Sequence, residues 1–200
     1  PLRLSNNWPS EMTESPVSSP KAEPVSAAPA VAAGIDFAEL RGGSAGLFWN
    51  EYRPQDAACR LWHWSDGQAH CLTPAGFSVR SRVYEYGGGA FCLSDDGVVF
   101  VNEADQQLYR QALDGSAPQA LTTGTCRYGD VQWSDGRVMA VEEQAEQHRL
   151  VSIHASTLER QVLAEGADFY AAPTLSPDGQ RLAWVEWNRP HQPWTATSLI

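Results

Sequence analysis

Long apolar runs are missing from this chain. Arg, Asp, Glu or Pro interrupts every window short of the roughly 20 residues that a bilayer helix needs. Positive charge is scarce: Lys21 is the only lysine, 14 basic residues stand against 24 acidic ones, and the formal net charge is -10. With no basic run, the balance argues against nucleic acid and anionic membrane surfaces as partners. Cysteine is sparse. Cys59, Cys71, Cys92 and Cys126 show no C-x-x-C spacing, and only His63 and His70 lie near them, so neither a zinc site nor a disulfide framework is expected. This cysteine usage fits a cytoplasmic protein. The one glycine cluster, "YGGGA", lacks the helix that a phosphate-binding loop would feed, and no cofactor is expected.

What is present divides at about residue 45. The segment "PLRLSNNWPSEMTESPVSSPKAEPVSAAPAVAAG" is crowded with Pro, Ser and Ala, a composition that buries too little apolar surface to offset its ordering entropy. A disordered tail is expected over residues 1–27. Met12 opens "MTESPVSSP" in the manner of a translation start, which makes residues 1–11 read as upstream sequence. "VSAAPAVAAG" is interrupted by prolines and lacks the basic and leucine-rich parts of a signal peptide. Residues 28–45 are expected to form a short helix, on "IDFAELR", and a loop.

Beyond that point the chain repeats. "AFCLSDDGVVFV", "DVQWSDGRVMAV" and "PTLSPDGQRLAWV" each place Ser and an Asp-Gly turn between two apolar stretches. Glycine accepts the positive φ that such a turn needs, and Asp or Ser bonds the local backbone. Their serines, Ser94, Ser134 and Ser176, lie 40 and 42 residues apart. Leu61, Leu108, Leu150 and Leu199 form a second series at intervals of 47, 42 and 49, and the first three are followed by short strands ending at Leu72, Leu121 and Leu163. Four strands per period of this length is the signature of a β-propeller blade. The expected fold is therefore all-β: a partial propeller of four-stranded antiparallel blades at about 46–74, 80–124, 127–166 and 170–200, the first partial and the last incomplete. A closed ring typically needs at least 4 blades, so the chain is expected to be the N-terminal piece of a longer protein. The hairpin at Asp66-Gly67 should pair His63 with His70 and Trp62 with Cys71, leaving Cys59 opposite Pro74.

Four stretches, "LFWNEYRPQDAACRLW", "SVRSRVYEYGGGAF", "NEADQQLYRQ" and "GADFYAAPTLSPDGQRLAWVEWNRPHQPW", occur in order and at the expected spacing. Together they resemble the propeller domain of prolyl oligopeptidase-family serine peptidases, in the dipeptidyl aminopeptidase and acylaminoacyl-peptidase branch, from about Ala28 onward. The resemblance implies a propeller that gates access of short peptide substrates to a C-terminal α/β-hydrolase domain carrying a Ser-Asp-His triad. Nothing in this chain corresponds to that domain, so it is the implied partner and no catalytic residue is assigned here. One departure stands out: relatives usually carry Asp after the Pro-Trp pair, and here Trp194 is followed by Thr195.

Gly87, Gly88 and Gly89 sit where one blade would feed the next, and they are expected to turn the chain toward the axis by close backbone approach. Period two puts Arg80 and Arg82 on one face of a strand, and Val83 and Glu85 on the other. Glu85, Arg82 and Arg80 are therefore candidates to face the substrate cavity, with a structural ion pair the plainer role for Glu85. "GGSAG", residues 42–46, satisfies G-x-S-x-G in form. A nucleophile elbow needs a strand before the serine and a helix after it, whereas Ser44 follows a helix-like stretch and precedes a strand. Glu142, Glu143 and Glu146 read as a solvated loop. Trp49, Trp62, Trp64, Trp133, Trp184 and Trp187 read as strand residues filling the wedge between blades. A non-enzymatic propeller serving as a protein-interaction platform is the second reading, because the fold alone does not decide function.

Overall fold

In the computed structural model, residues 34–200 are described. The expected tail over 1–27, and the part of the 28–45 segment that precedes Gly34, lie outside the described residues. Four antiparallel sheets form a propeller-like ring. The first holds β1 (Asp36–Gly43), β2 (Gly46–Arg53), β3 (Ala58–Ser65) and β4 (Gln68–Cys71). In the second are β5 (Phe91–Leu93), β6 (Gly97–Val101), β7 (Leu108–Ala112) and β8 (Gln119–Ala120). The third comprises β9 (Arg127–Ser134), β10 (Arg137–Gln144), β11 (Gln147–His154) and β12 (Arg160–Glu165). In the fourth, β13 (Phe169–Leu175), β14 (Leu182–Trp187) and β15 (Ser198–Leu199) pair in sequence order. The first strands of the sheets, β1, β5, β9 and β13, adjoin one another in that order and define the inner side of the ring.

Two expectations are corrected here. "IDFAELR" forms no helix: residues from Asp36 enter strand β1, so the first blade holds four strands rather than beginning partway at residue 46. The cause is a bulge. The β1–β2 register shifts between Ala38 and Arg41, with Glu39 left-handed at φ 52°, which places Phe37 and Leu40 three apart and imitates a helical period.

The Asp-Gly signals become turns with glycine at positive φ at Gly67, Gly136 and Gly179, whereas Gly97 has no positive φ and already belongs to strand β6. Asp66-Gly67 and Asp135-Gly136 are two-residue turns with positive φ at both positions (51° and 79°, 48° and 70°), the twist that suits adjacent right-handed strands. Register in the first blade pairs Trp62 with Cys71 and His63 with His70 as the turn requires, and all four cysteines are free. The leucine series marks the third strand of each sheet, with Leu61, Leu108 and Leu150 fully buried.

Burial follows from stacking. Strand β6, "GVVFV", is buried along its whole length because both faces of its sheet are covered. Val98 and Phe100 join Phe48, Leu61, Val79 and Phe91 between the first and second blades. Val99 and Val101 turn the other way, to Leu108, Val131, Val138, Val151 and Ile153 between the second and third. A smaller cluster of Val83, Val141, Leu150 and Tyr170 joins the third blade to the fourth. Each fully buried Val, Leu or Phe contributes at most about 1.5–3 kcal/mol, so no blade is stable by its own sheet and each depends on its neighbours.

Candidate functional site: the turn that feeds the second blade

The segment "SRVYEYGGG" is not a strand. Val83–Tyr86 is a turn in which Tyr84 and Glu85 are both left-handed (φ 57° and 70°), and Gly87 N–H donates to the Val83 carbonyl at 2.9 Å. The expected two-residue period therefore fails beyond Arg82: Val83 is buried, whereas Glu85 is exposed. The glycines follow with positive φ, and space is as limiting as conformation. A Cβ on Gly87 would lie 2.4 Å from the Ser81 carbonyl oxygen, and one on Gly89 would lie 2.5 Å from the Asp130 Cα. Close approach lets the Gly88 and Gly89 carbonyls accept the Asp130 and Val131 N–H groups at 3.1 Å, which ties the start of the second blade to the inner strand of the third.

Charged groups gather on both sides of this turn. Arg82 donates to Glu103 at 3.0 Å, and Arg80 lies 3.8 Å from the same carboxylate, so the two arginines do share one side. Ser78 adds a hydrogen bond to Glu103 at 2.7 Å. Burial pushes the Glu103 carboxyl up, but the bonds from Ser78 and Arg82 and the charges of both arginines outweigh it, and the group sits below the usual carboxylate range. Glu85 accepts from Arg127 at 2.5 Å, and Arg127 reaches Glu143 at 3.9 Å. Arg80, Arg82 and Glu85 all keep more than half of their side-chain surface open to solvent.

Tyr84 locks the turn to the fourth blade. Its N–H donates to Glu143 at 2.7 Å, and its hydroxyl donates to the Tyr170 carbonyl at 3.0 Å while accepting the Tyr170 N–H at 2.9 Å. Burial pushes that hydroxyl far above its ordinary value. The ring meets His148, Phe169 and Trp187 edge-on.

The acidic stretch after it is no solvated loop. Glu142 and Glu143 belong to strand β10, and only Glu146 occupies an exposed turn. Glu142 is buried and receives two bonds from Arg160 at 2.7 and 2.5 Å, one from Tyr128 at 3.2 Å, and the charge of Arg149 at 3.6 Å. Sequence reasoning missed this centre. The available signal was alternation along the strand, which puts Glu142 opposite Arg149 on the neighbouring β11. Trp64, expected to fill the wedge between blades, is exposed over 43 % of its surface and belongs to none of the three core clusters.

Ser44 lies in the two-residue turn between β1 and β2, with strand on both sides, which is not the geometry of a nucleophile elbow. Among the described residues no group of three or more His, Cys, Asp or Glu side chains is placed to hold a metal ion, and no helix is long and apolar enough to cross a membrane.

No family model matches the chain, and no curated protein matches it significantly. Solved structures do. A puromycin-hydrolyzing peptidase of Mycobacterium tuberculosis is similar over 88 % of this chain at 31 % identity and TM-score 0.80. A second puromycin hydrolase is similar over 82 % at 28 % identity and TM-score 0.70. The chain spans about 30 % of the length of each. TolB from Acinetobacter baumannii, 15 % identical with TM-score 0.54, shares the fold alone. The four-sheet propeller of this chain is thus similar to the corresponding part of these two peptidases.

Proposed function

We propose that this segment is the substrate-gating propeller of a cytoplasmic serine peptidase of the dipeptidyl aminopeptidase or acylaminoacyl-peptidase type, acting on short peptides. The observation that carries the reading is the 31 % identity to a puromycin-hydrolyzing peptidase, sustained over 88 % of this chain. Catalysis is assigned to a C-terminal α/β-hydrolase domain as partner, and this chain supplies access and orientation. Arg80, Arg82 and Glu85 are the residues proposed to face arriving peptide. They stand on the loop beside the inner strands, and their ion pairs with Glu103 and Arg127 leave them open to solvent. A guanidinium suits a peptide carboxylate, and a carboxylate suits an ammonium group.

The test is kinetic, on the protein that joins this propeller to its hydrolase domain. Aminoacyl and dipeptidyl chromogenic substrates should be cleaved and folded proteins spared. Arg82→Ala should raise KM for peptides while leaving kcat within about twofold, the mark of lost binding that is equal in ground and transition states. Cleavage of folded proteins at rates like those for peptides would overturn the gating role.

A further inference from the structure

The blade repeat is broken at one place. Antiparallel pairing puts the β9–β10 and β13–β14 turns at the end of the sheets away from the β10–β11 turn and the 83–86 turn near it. At that end the wedge between the second and third sheets is closed by two side chains. The Arg110 guanidinium lies 5.3 Å from the centre of the Trp133 ring, Asp95 accepts the indole N–H at 3.0 Å, and Asp96 pairs with Arg110 at 2.8 Å. The next wedge, between the third and fourth sheets, carries smaller residues at both places. Ser152 follows Leu150 by two residues as Arg110 follows Leu108, and Leu175 precedes Ser176 as Trp133 precedes Ser134. A cavity of about 430 Å³ lies there, floored by Met139, Leu163, Leu175 and Leu182. It is within the size range of small-ligand sites.

Arg137 and Arg181 line the same cavity. Arg137 donates to the hydroxyl of the buried Ser152 at 3.2 Å, which holds its guanidinium against the cavity, and Glu159 lies 3.7 Å from it. The Arg181 backbone bonds Ser176 in both directions, but its guanidinium has no hydrogen-bond or ion-pair partner among the described residues. Two carboxylates stand at the rim: Asp178 is engaged by Ser176 and the Gln180 N–H, and Asp135 is exposed on its turn. An apolar floor beside an unpaired guanidinium suits a ring and a carboxylate together. The ring takes the place that Trp133 holds in the preceding wedge, and the planar guanidinium matches a carboxylate with two parallel bonds. We propose that this cavity binds a small aromatic carboxylate. Its ring lies on Met139 and Leu175, its carboxylate is held by Arg181, and Arg137 adds a second positive charge. The proposal does not depend on the peptidase reading, because it concerns a cavity formed by this chain alone.

Met139 supplies the reporter, because Met12 and Met139 are the only methionines of the chain and Met139 lines the cavity. The 200-residue chain, isotope-labelled at its methionine methyl groups, is titrated by NMR with anionic indoleacetate, neutral tryptophol and cationic tryptamine. Indoleacetate should shift the Met139 methyl saturably and bind at least about fivefold more tightly than tryptophol, with tryptamine weaker still. Arg181→Gln, at an exposed position, should weaken indoleacetate about threefold to fivefold and leave tryptophol within about twofold. Leu175→Trp places in the cavity the residue that closes the preceding wedge, and it should abolish the indoleacetate shifts without lowering Tm. Should Leu175→Trp disturb folding, Arg181→Gln alone decides. Equal affinity for indoleacetate and tryptophol, absence of saturation, an unchanged indoleacetate affinity in Arg181→Gln, or undiminished binding by a folded Leu175→Trp chain would overturn the proposal.

Discussion

Gly89 shows why three glycines interrupt a stretch that otherwise promises β-structure. Its φ of 49° and the 2.5 Å separation between a notional Cβ and the Asp130 Cα are two independent barriers to any side chain. Gly89→Val should therefore lower stability by about 1–3 kcal/mol, read as a drop in Tm by differential scanning calorimetry. A variant as stable as the parent would remove the close-approach argument. Glu103 makes the residue-scale prediction for pH. Its carboxyl titrates lower in the folded chain than its ordinary 4.5, so its cluster with Ser78, Arg80 and Arg82 stabilises fully above about pH 4.5. That contribution is lost as the pH falls through the lower folded value. Glu103→Gln should flatten the acid limb of a Tm-versus-pH curve below about pH 4.5 and leave the neutral limb parallel to the parent. Identical acid limbs would contradict it. The glycines could be read from the sequence because only close approach or positive φ rewards three of them. The burial of Glu142 could not, because its partners Arg149 and Arg160 come from two other strands and the local run "VEEQAEQ" resembles solvent-facing sequence.

At the scale of elements, the four inner sides repeat one device. Glu39, Gly89, Asp130 and Ala172 are left-handed with φ of 52°, 49°, 49° and 51°, one in each blade at or just before its first strand. Where that residue is acidic, its carboxylate reaches the next blade in sequence. Glu39 accepts the Ala90 N–H at 3.0 and 2.9 Å, and Asp130 accepts the Ala172 N–H at 3.1 Å. Where it is Gly89, the backbone carbonyls take over the connection to the third blade. Asp130→Asn keeps both an acceptor and a residue tolerant of the left-handed region, whereas Asp130→Ala keeps neither. The alanine variant should be less stable than the asparagine variant by about 1–2 kcal/mol in urea unfolding, and equal stabilities would refute the latch. The middle strands were legible because Asp-Gly turns and alternating apolar residues point to the same hairpins. Strand β1 was not, since its bulge at Glu39 converts an alternating pattern into a spacing of three, which reads as helix.

For the whole molecule, the ring's two flanking sheets differ from its middle. The second and third sheets are covered on both faces, while Phe37 and Leu40 on β1 and Leu199 on β15 remain 70 %, 65 % and 78 % exposed. Apolar surface of this kind, next to unpaired strand edges, is adhesive in spite of a net charge of -10. The isolated 200-residue chain should sediment as a concentration-dependent mixture of monomer and larger species, and Phe37→Glu with Leu40→Lys should shift it toward monomer. A monodisperse monomer at all concentrations would show these faces to be inert.

The central proposal, that this propeller serves a serine peptidase and that Ser44 is not its nucleophile, is tested most directly by fluorophosphonate labelling followed by mass spectrometry. The account predicts no adduct on the 200-residue chain, including at Ser44 in its strand-turn-strand setting, and a single modified serine outside residues 1–200 when the propeller is joined to its hydrolase domain. An adduct on Ser44, or no labelling of the joined protein, would contradict it.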